Sequence, residues 1–218
     1  MKKLKMKDNS TNGYLFFFCG LDGCGKTTMI NKLVADLEKE YDVFLTKQPT
    51  NAVRESKIFR NYMDEPEHDE FDYRSLSLLA ASDRLQHVNK EIIPALKQGQ
   101  IVISDRYYYS CLANLYARGF EEDKWIYEIS KQIIKPDIAF FFDASVPTAA
   151  ERVRSRPEEK DRYIDMQLQY KLRNEYVKIC RANNGVLIST MCPVEESYTV
   201  VKEKVKEVLN SEKKRKSA

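Results

Sequence analysis

The sequence predicts an α/β fold of three layers, a five-stranded parallel sheet with helices on both faces. Three observations carry that expectation. Five apolar, β-prone segments alternate with stretches of helical periodicity, and strands joined through helices in that order pair in parallel. The first strand runs straight into a glycine-rich turn followed by a helix, which puts a binding loop at the strand's carboxyl end. A chain of 218 residues, 43% hydrophobic and 32% charged, can bury one sizeable core, so one domain is expected.

The elements follow in order. Residues 1–13 are rich in lysine and polar side chains and read as a solvated, mobile arm, since the apolar run behind them is too short for a signal peptide. That run, Tyr14–Cys19, is the first strand. Lys26–Lys39 follows as a helix, with Met29, Ile30, Leu33 and Val34 at helical spacing. Val43–Thr46 is the second strand. Arg74–Gln98 reads as one long helix with two seven-residue series, Leu78/Leu85/Ile92 and Ala81/Val88/Ala95. Such a stripe packs on the sheet or on a second subunit. Ala80 and Arg84 lie one turn apart, so the guanidinium points either into a cleft or into a surface salt bridge. Ile101–Ser104, Ile138–Phe142 and Val186–Ser189 complete the strands. The domain spans 14–210, and residues 211–218, with Lys213-Lys214-Arg215-Lys216, form a basic solvated tail.

Composition excludes several function classes. A net charge of +3 is too small to imply nucleic-acid binding, and no run approaches a membrane span. Five cysteines, odd in number and without a C-x-x-C pair, point to reduced thiols in the cytoplasm rather than a disulfide framework. His68 and His87 are too few for a zinc cluster.

Gly20-Leu21-Asp22-Gly23-Cys24-Gly25-Lys26-Thr27 matches G-x-x-x-x-G-K-[ST], the phosphate-binding loop of P-loop nucleotide-binding proteins, so the expected fold is the P-loop three-layer sandwich. Glycines let successive N–H groups point inward around phosphate oxygens, and the helix behind adds its positive dipole end. Residues Gly20 through Thr28 would hold ATP, with Lys26 on the β/γ-phosphates and the Thr27 hydroxyl on Mg²⁺. Cys24 is either a small filler or, beside a helix N-terminus and Lys26, a reactive thiol. The third strand ends in Asp105-Arg106-Tyr107. There the acid can hold Mg²⁺ and the arginine a phosphoryl oxygen, or the two form a strand-end ion pair. Residues 151–163 concentrate arginines, including Arg152, Arg154, Arg156 and Arg162. They form a short lid that neutralises phosphoryl charge, or a solvated face whose acids pair locally.

Taken together, the phosphate loop with Asp22, Thr46-Lys47-Gln48-Pro49-Thr50, Ala81-Ser82-Asp83-Arg84-Leu85-Gln86-His87, Asp105-Arg106-Tyr107 and the arginine-rich segment resemble the thymidylate kinase family of P-loop nucleoside monophosphate kinases. The resemblance covers the chain from Tyr14 to about Leu209. It implies Mg²⁺-dependent transfer of the ATP γ-phosphoryl group to dTMP, giving dTDP, in a homodimer joined through helices. It also implies roles. Asp22 would sit near the deoxyribose 3′-hydroxyl or the metal's waters, and Asp105 and Arg106 between donor and acceptor. Arg60 would grip the acceptor phosphate and Arg84 the base or phosphate, with Gln48, Pro49 and Ser110 on the acceptor side. Because Gly23 rather than an arginine follows Asp22, the catalytic arginine would come from the lid, from Arg152, Arg154, Arg156 or Arg162.

The chain departs from the family pattern on the acceptor side. Ala80 stands where a phenylalanine usually stacks on the base, Lys47-Gln48-Pro49 replaces Arg-Glu-Pro, and Asn114-Leu115 replaces Tyr-Gln. Tyr108, Tyr109 or Leu79 are candidates to fill the gap. The alternatives are a kinase for another deoxynucleotide or deoxynucleoside, such as dUMP or dCMP, and a nucleotide-binding paralogue without catalysis. A GTPase-like switch lacks its Asn-Lys-x-Asp sequence, since Asn31-Lys32 and Asn89-Lys90 lack the aspartate.

Overall fold

All five expected strands form, each running to or one residue past its expected end: β1 Tyr14–Gly20, β2 Val43–Lys47, β3 Ile101–Asp105, β4 Ile138–Asp143 and β5 Val186–Ser189. They pair in parallel in the order β2-β3-β1-β4-β5. The computed structural model describes residues 3–64 and 70–216; His68 and the ends of the arm and tail lie outside them. The chain leaves β1 towards β2, returns through β3, then crosses to β4 on the other side of β1. The carboxyl ends of β1 and β3 therefore flank the point where the winding reverses, where such sheets bind ligands. Phe18 pairs with Asp105 and Gly20 with Phe142 in register, which brings the phosphate loop and the Asp-Arg-Tyr segment together.

The centre of the sheet is aromatic and dry. Phe16, Phe17 and Phe18 are fully buried, and Phe17 stacks on Tyr109 at 4.9 Å with the Phe141 ring edge-on at 5.5 Å. β1 is thus buried on both faces, as its unbroken apolar run implied.

Helices cover both faces: α1 Lys26–Leu37, α2 Asn51–Arg54, α3 Lys57–Asp64, α4 Tyr73–His87, α5 Ile93–Lys97, α6 Tyr109–Ala117, α7 Trp125–Ser130, α8 Val146–Arg154, α9 Met166–Ala182 and α10 Val194–Lys216. The long helix expected over Arg74–Gln98 is interrupted between α4 and α5 by a π-helical turn, Val88–Ile92, where the Ile93 N–H reaches back to Val88 O. Pro94 is the physical reason. It has no N–H to give, and its ring would strike the carbonyl four residues back, so the helix widens there. The Ala81/Val88/Ala95 series is buried, whereas Leu78 is 45% exposed and Leu79 38%.

The stretch read as a mobile arm instead lies along the domain. Leu4 is 5% exposed, its N–H donating to Asn183 Oδ1 at 3.0 Å. Lys7 exchanges backbone hydrogen bonds with Ile133 and Lys135, and Asn9 Nδ2 donates to Asp137 Oδ2 at 2.9 Å. Lysines at positions 3, 5 and 7 masked an alternation that places Leu4 and Met6 against the core. Most of the segment read as a tail continues α10 to Lys216. Leu4→Ala is expected to lower stability by about 2 kcal/mol, the low end for emptying a buried leucine site. Urea unfolding checks it; an unchanged midpoint would mean that the arm does not hold this position in solution.

Candidate active site

One cleft of about 1090 Å³ follows the carboxyl ends of β1 and β3. Asp22, Lys26 and Thr27 line one end, Asp105 and Arg106 the middle, Ala80, Arg84, Ser110 and Asn114 the other end, and Arg152 of α8, with Arg156 and Arg162 of the segment between α8 and α9, one side.

The loop after β1 needs its glycines. Gly20 has φ +142° and a Cβ there would lie 2.4 Å from Phe142 O; Gly23 has φ +78° and a Cβ 2.0 Å from Ala149 O. Only glycine lets the loop fold this tightly onto β4 and α8. Gly25 caps α1 without a side-chain hydrogen bond, so the first-turn amides are left for an anion. Lys26 is buried and donates to Gly20 O at 3.2 Å and Leu21 O at 2.6 Å. Thr27 and Thr28 line the cleft. Cys24 is fully buried beneath the loop, with its carbonyl accepting from Thr190 Oγ1 at 3.0 Å. Its thiol is a packing filler and not the accessible nucleophile that was the alternative.

Arg106 adopts φ +68°, a left-handed conformation unusual for arginine. The turn at the strand end aims the guanidinium back across β1. It donates to Gly20 O at 3.2 Å, to Tyr176 Oη at 3.1 Å and to the Asp22 carboxylate. Arg162 Nη2 reaches the other Asp22 oxygen at 3.2 Å. Burial works against the charged form of Asp22, but Arg106, Lys26 and Arg162 outweigh it and hold the carboxyl well below the usual carboxylate range. The ion pairs therefore persist at every pH above about 4, the ordinary aspartate value, and are lost only in stronger acid. Burial likewise opposes the Arg106 charge, and Asp22 overrides it.

Asp105 meets Lys47 Nζ at 3.7 Å through Oδ2, while its Oδ1 is buried with no hydrogen-bond partner among the described residues. Lys47 and Arg54 also line the cleft, and both are pushed below their ordinary values, first by burial and then by neighbouring arginines. Two crowded cations beside Arg106 make this stretch attractive to an anion.

Arg156 and Arg162 both donate to Glu159 Oε2, at 3.2 and 3.4 Å. Arg152 Nη2 donates to Thr190 O at 3.0 Å. Arg154 is exposed and is not among the residues lining the cleft.

On the acceptor side, Pro49, Arg60, Arg84 and Ser110 line the cleft as expected. Arg84 is 4% exposed, Nη1 donates to Ala80 O at 2.9 Å, and Nε has no partner among the described residues. Its guanidinium belongs to the cleft, not to a surface salt bridge. Gln48, expected on the acceptor side, is instead fully buried and does not line the cleft, its Nε2 2.9 Å from His87 Nδ1. Burial pushes His87 below its usual value, so the neutral ring accepts from Gln48 and donates to Thr46 Oγ1 at 2.8 Å. Asp83 accepts from Thr50 N–H at 2.8 Å, so α4 clamps the loop after β2 from two positions. None of the three expected gap-fillers lines the cleft. Tyr108 is buried with its hydroxyl on Ile126 O, Tyr109 stacks on Phe17, and Leu79 faces outward. The aromatic rings that do line it are Phe59, Tyr62, Tyr73, Tyr163 and Tyr176. Sequence reasoning missed these, and also Arg54 and Arg118, because they belong to no contiguous motif.

The family model for thymidylate kinase matches residues 18–205. A probable thymidylate kinase of Pyrococcus horikoshii is 34% identical over 202 residues, covering 90% of this chain and 98% of its own length. A thymidylate kinase of a Geobacillus strain is 37% identical over 198 residues, covering 86% and 93%. One from onion yellows phytoplasma is 34% identical over 204 residues, covering 89% and 98%.

Proposed function

The chain belongs to the thymidylate kinase family, and from that membership we propose that it transfers the γ-phosphoryl group of ATP to dTMP, releasing ADP and dTDP. The observation that carries this reading is the continuity of one cleft from the phosphate loop to Arg84, with Asp105 and Arg106 between the two ends. Lys26 and the first-turn amides of α1 bind the donor phosphates, and Arg60 and Arg84 bind the acceptor. Arg106, aimed by its left-handed turn, and Arg162 stand where charge spreads over the transferring group. Asp22 holds both guanidinium planes in place before substrate arrives, so that less reorganisation is needed in the transition state.

Mg²⁺ fits the donor set. Asp105 Oδ1, without a hydrogen-bond partner among the described residues, and the Thr27 hydroxyl are hard oxygens of residues lining the same cleft, and Mg²⁺ in phosphoryl-transfer sites takes few protein ligands beside water and phosphate. Bound there, it would offset charge on the β- and γ-phosphates. A homodimer is the assembly we propose, with Leu78 and Leu79, exposed side by side on α4, as apolar surface for a second copy. Five free cysteines suit a reducing cytoplasm. No helix among the described residues is long and apolar enough to cross a membrane.

The test is ADP release with ATP and a panel of dTMP, dUMP, dCMP, dGMP, thymidine or no acceptor. Strong turnover with dTMP above the other acceptors is expected. Hydrolysis that no acceptor stimulates would overturn the kinase reading.

A further inference from the structure

The acceptor end of the cleft is built around a pile of flat groups. On the cleft-facing side of α4, Tyr73, Ser77, Ala80 and Arg84 succeed one another at helical spacing. Ala80 offers no ring. Tyr73 does, but the Arg118 guanidinium lies over the ring at 4.0 Å from the centroid, and the Phe120 ring lies parallel to it at 6.3 Å and 7°. Arg74 closes the pile, 4.4 Å from the Phe120 centroid, and is itself held by Asp123 at 2.7 Å. Tyr62 packs edge-on to Tyr73 at 5.1 Å. The Tyr73 face under Arg118 is therefore taken.

Arg118 lines the cleft, and its second hold is Asn114, whose Oδ1 accepts from Nη1 at 3.0 Å. Asn114 is in turn fixed by Nδ2 donating to Ser110 O at 2.9 Å. A guanidinium pinned at one edge and backed by a ring is a rigid planar surface, and such planes stack on nucleobases as aromatic rings do. Asn114 supplies the side-chain carbonyl that accepts this hydrogen bond and so sets the plane of Arg118.

We propose that Arg118, oriented by Asn114 and backed by Tyr73 and Phe120, is the stacking platform for the acceptor base, in place of an aromatic side chain at position 80. Arg118 is a substrate-binding residue and Asn114 a positioning residue. The acceptor class is a nucleoside monophosphate with a planar base. The proposal rests on the kinase reading above for the identity of the site.

The experiment compares Arg118→Ala, Arg118→Lys and Asn114→Ala with the native chain, by steady-state kinetics and by calorimetric binding of dTMP without ATP. Loss of a stacked base raises the acceptor KM and Kd about ten- to a hundredfold in Arg118→Ala. Arg118→Lys, which keeps the charge but not the plane, loses nearly as much, and Asn114→Ala a smaller share. The KM for ATP stays within about threefold and kcat falls less than the acceptor KM rises. Ala80→Phe, placed in the Arg118→Ala chain, restores part of the acceptor affinity by supplying a ring on the adjacent turns of α4. The proposal is overturned if Arg118→Ala keeps native acceptor KM and Kd, or if Arg118→Lys matches the native chain. It is also overturned if Ala80→Phe recovers nothing, or if both substrates weaken together with a lowered Tm. Should the native chain prefer another nucleoside monophosphate to dTMP, the same ratios are read on that acceptor, because stacking tolerates different bases. In that case the dTMP reading fails and the platform stands. A native chain that binds no nucleoside monophosphate defeats both.

Discussion

Arg106→Ala is expected to lower kcat by roughly 10²–10³-fold, the loss that follows removal of one fixed donor aimed at developing charge. Three hydrogen bonds fix this guanidinium, to Gly20 O, Tyr176 Oη and Asp22, from a backbone conformation at φ +68°. So much organisation around a single planar cation at the mouth of the phosphate loop is what transition-state stabilisation requires. Removing it also leaves Asp22 facing the donor phosphates with only Lys26 and Arg162 to offset its charge. The KM for ATP should therefore rise somewhat, but kcat carries the larger part. Arg106→Lys should recover only a fraction, since an ammonium cannot bridge Asp22 and a phosphoryl oxygen with a planar fork. The measurement is kcat at saturating ATP and acceptor, with a thermal melt to show that the variant is folded. A kcat within threefold of native would remove Arg106 from the transition state.

The sheet and the donor end of the cleft were legible because their signals are local. A strand buried on both faces writes itself as an unbroken apolar run, and the phosphate loop is contiguous because one turn of backbone does the binding. The acceptor end has no such economy of sequence. Arg118, Asn114, Tyr73 and Phe120 come from α4, α6 and the turn after it, and only the tertiary packing stacks them. Asn114 looks like a loss until Arg118 is placed against it. Gln48 is a related case. It follows directly on β2, but whether its side chain faces the cleft depends on His87, thirty-nine positions away in sequence. The π-helical turn is a different case, because Pro94, with no N–H to give, is a local signal that interrupts the helix.

Arg162→Ala is expected to reduce kcat by about 10³-fold with little change in either KM, the pattern of an arginine that acts on transferring phosphoryl charge. The four lid candidates are not equivalent in the structure. Arg154 is exposed and off the cleft lining, and Arg152 is tied to the Thr190 carbonyl at the end of β5. Arg156 pairs only with Glu159 among the described residues, and its side chain is 43% exposed. Arg162 alone of these reaches the phosphate loop, through Asp22. Its second partner, Glu159, lies in the 3₁₀ turn Pro157–Glu159 that follows α8, so the lid and the loop share one guanidinium. Phosphate oxygens arriving at Lys26 compete for that guanidinium with Asp22, and a charge spread over three equatorial oxygens competes best in the transition state. Arg156→Ala, by the same argument, should cost less than tenfold. Kinetics of the two variants at saturating substrates decide the matter: if Arg156→Ala is the more damaging, the transition-state arginine is Arg156, and the Asp22–Arg162 contact serves only to close the lid.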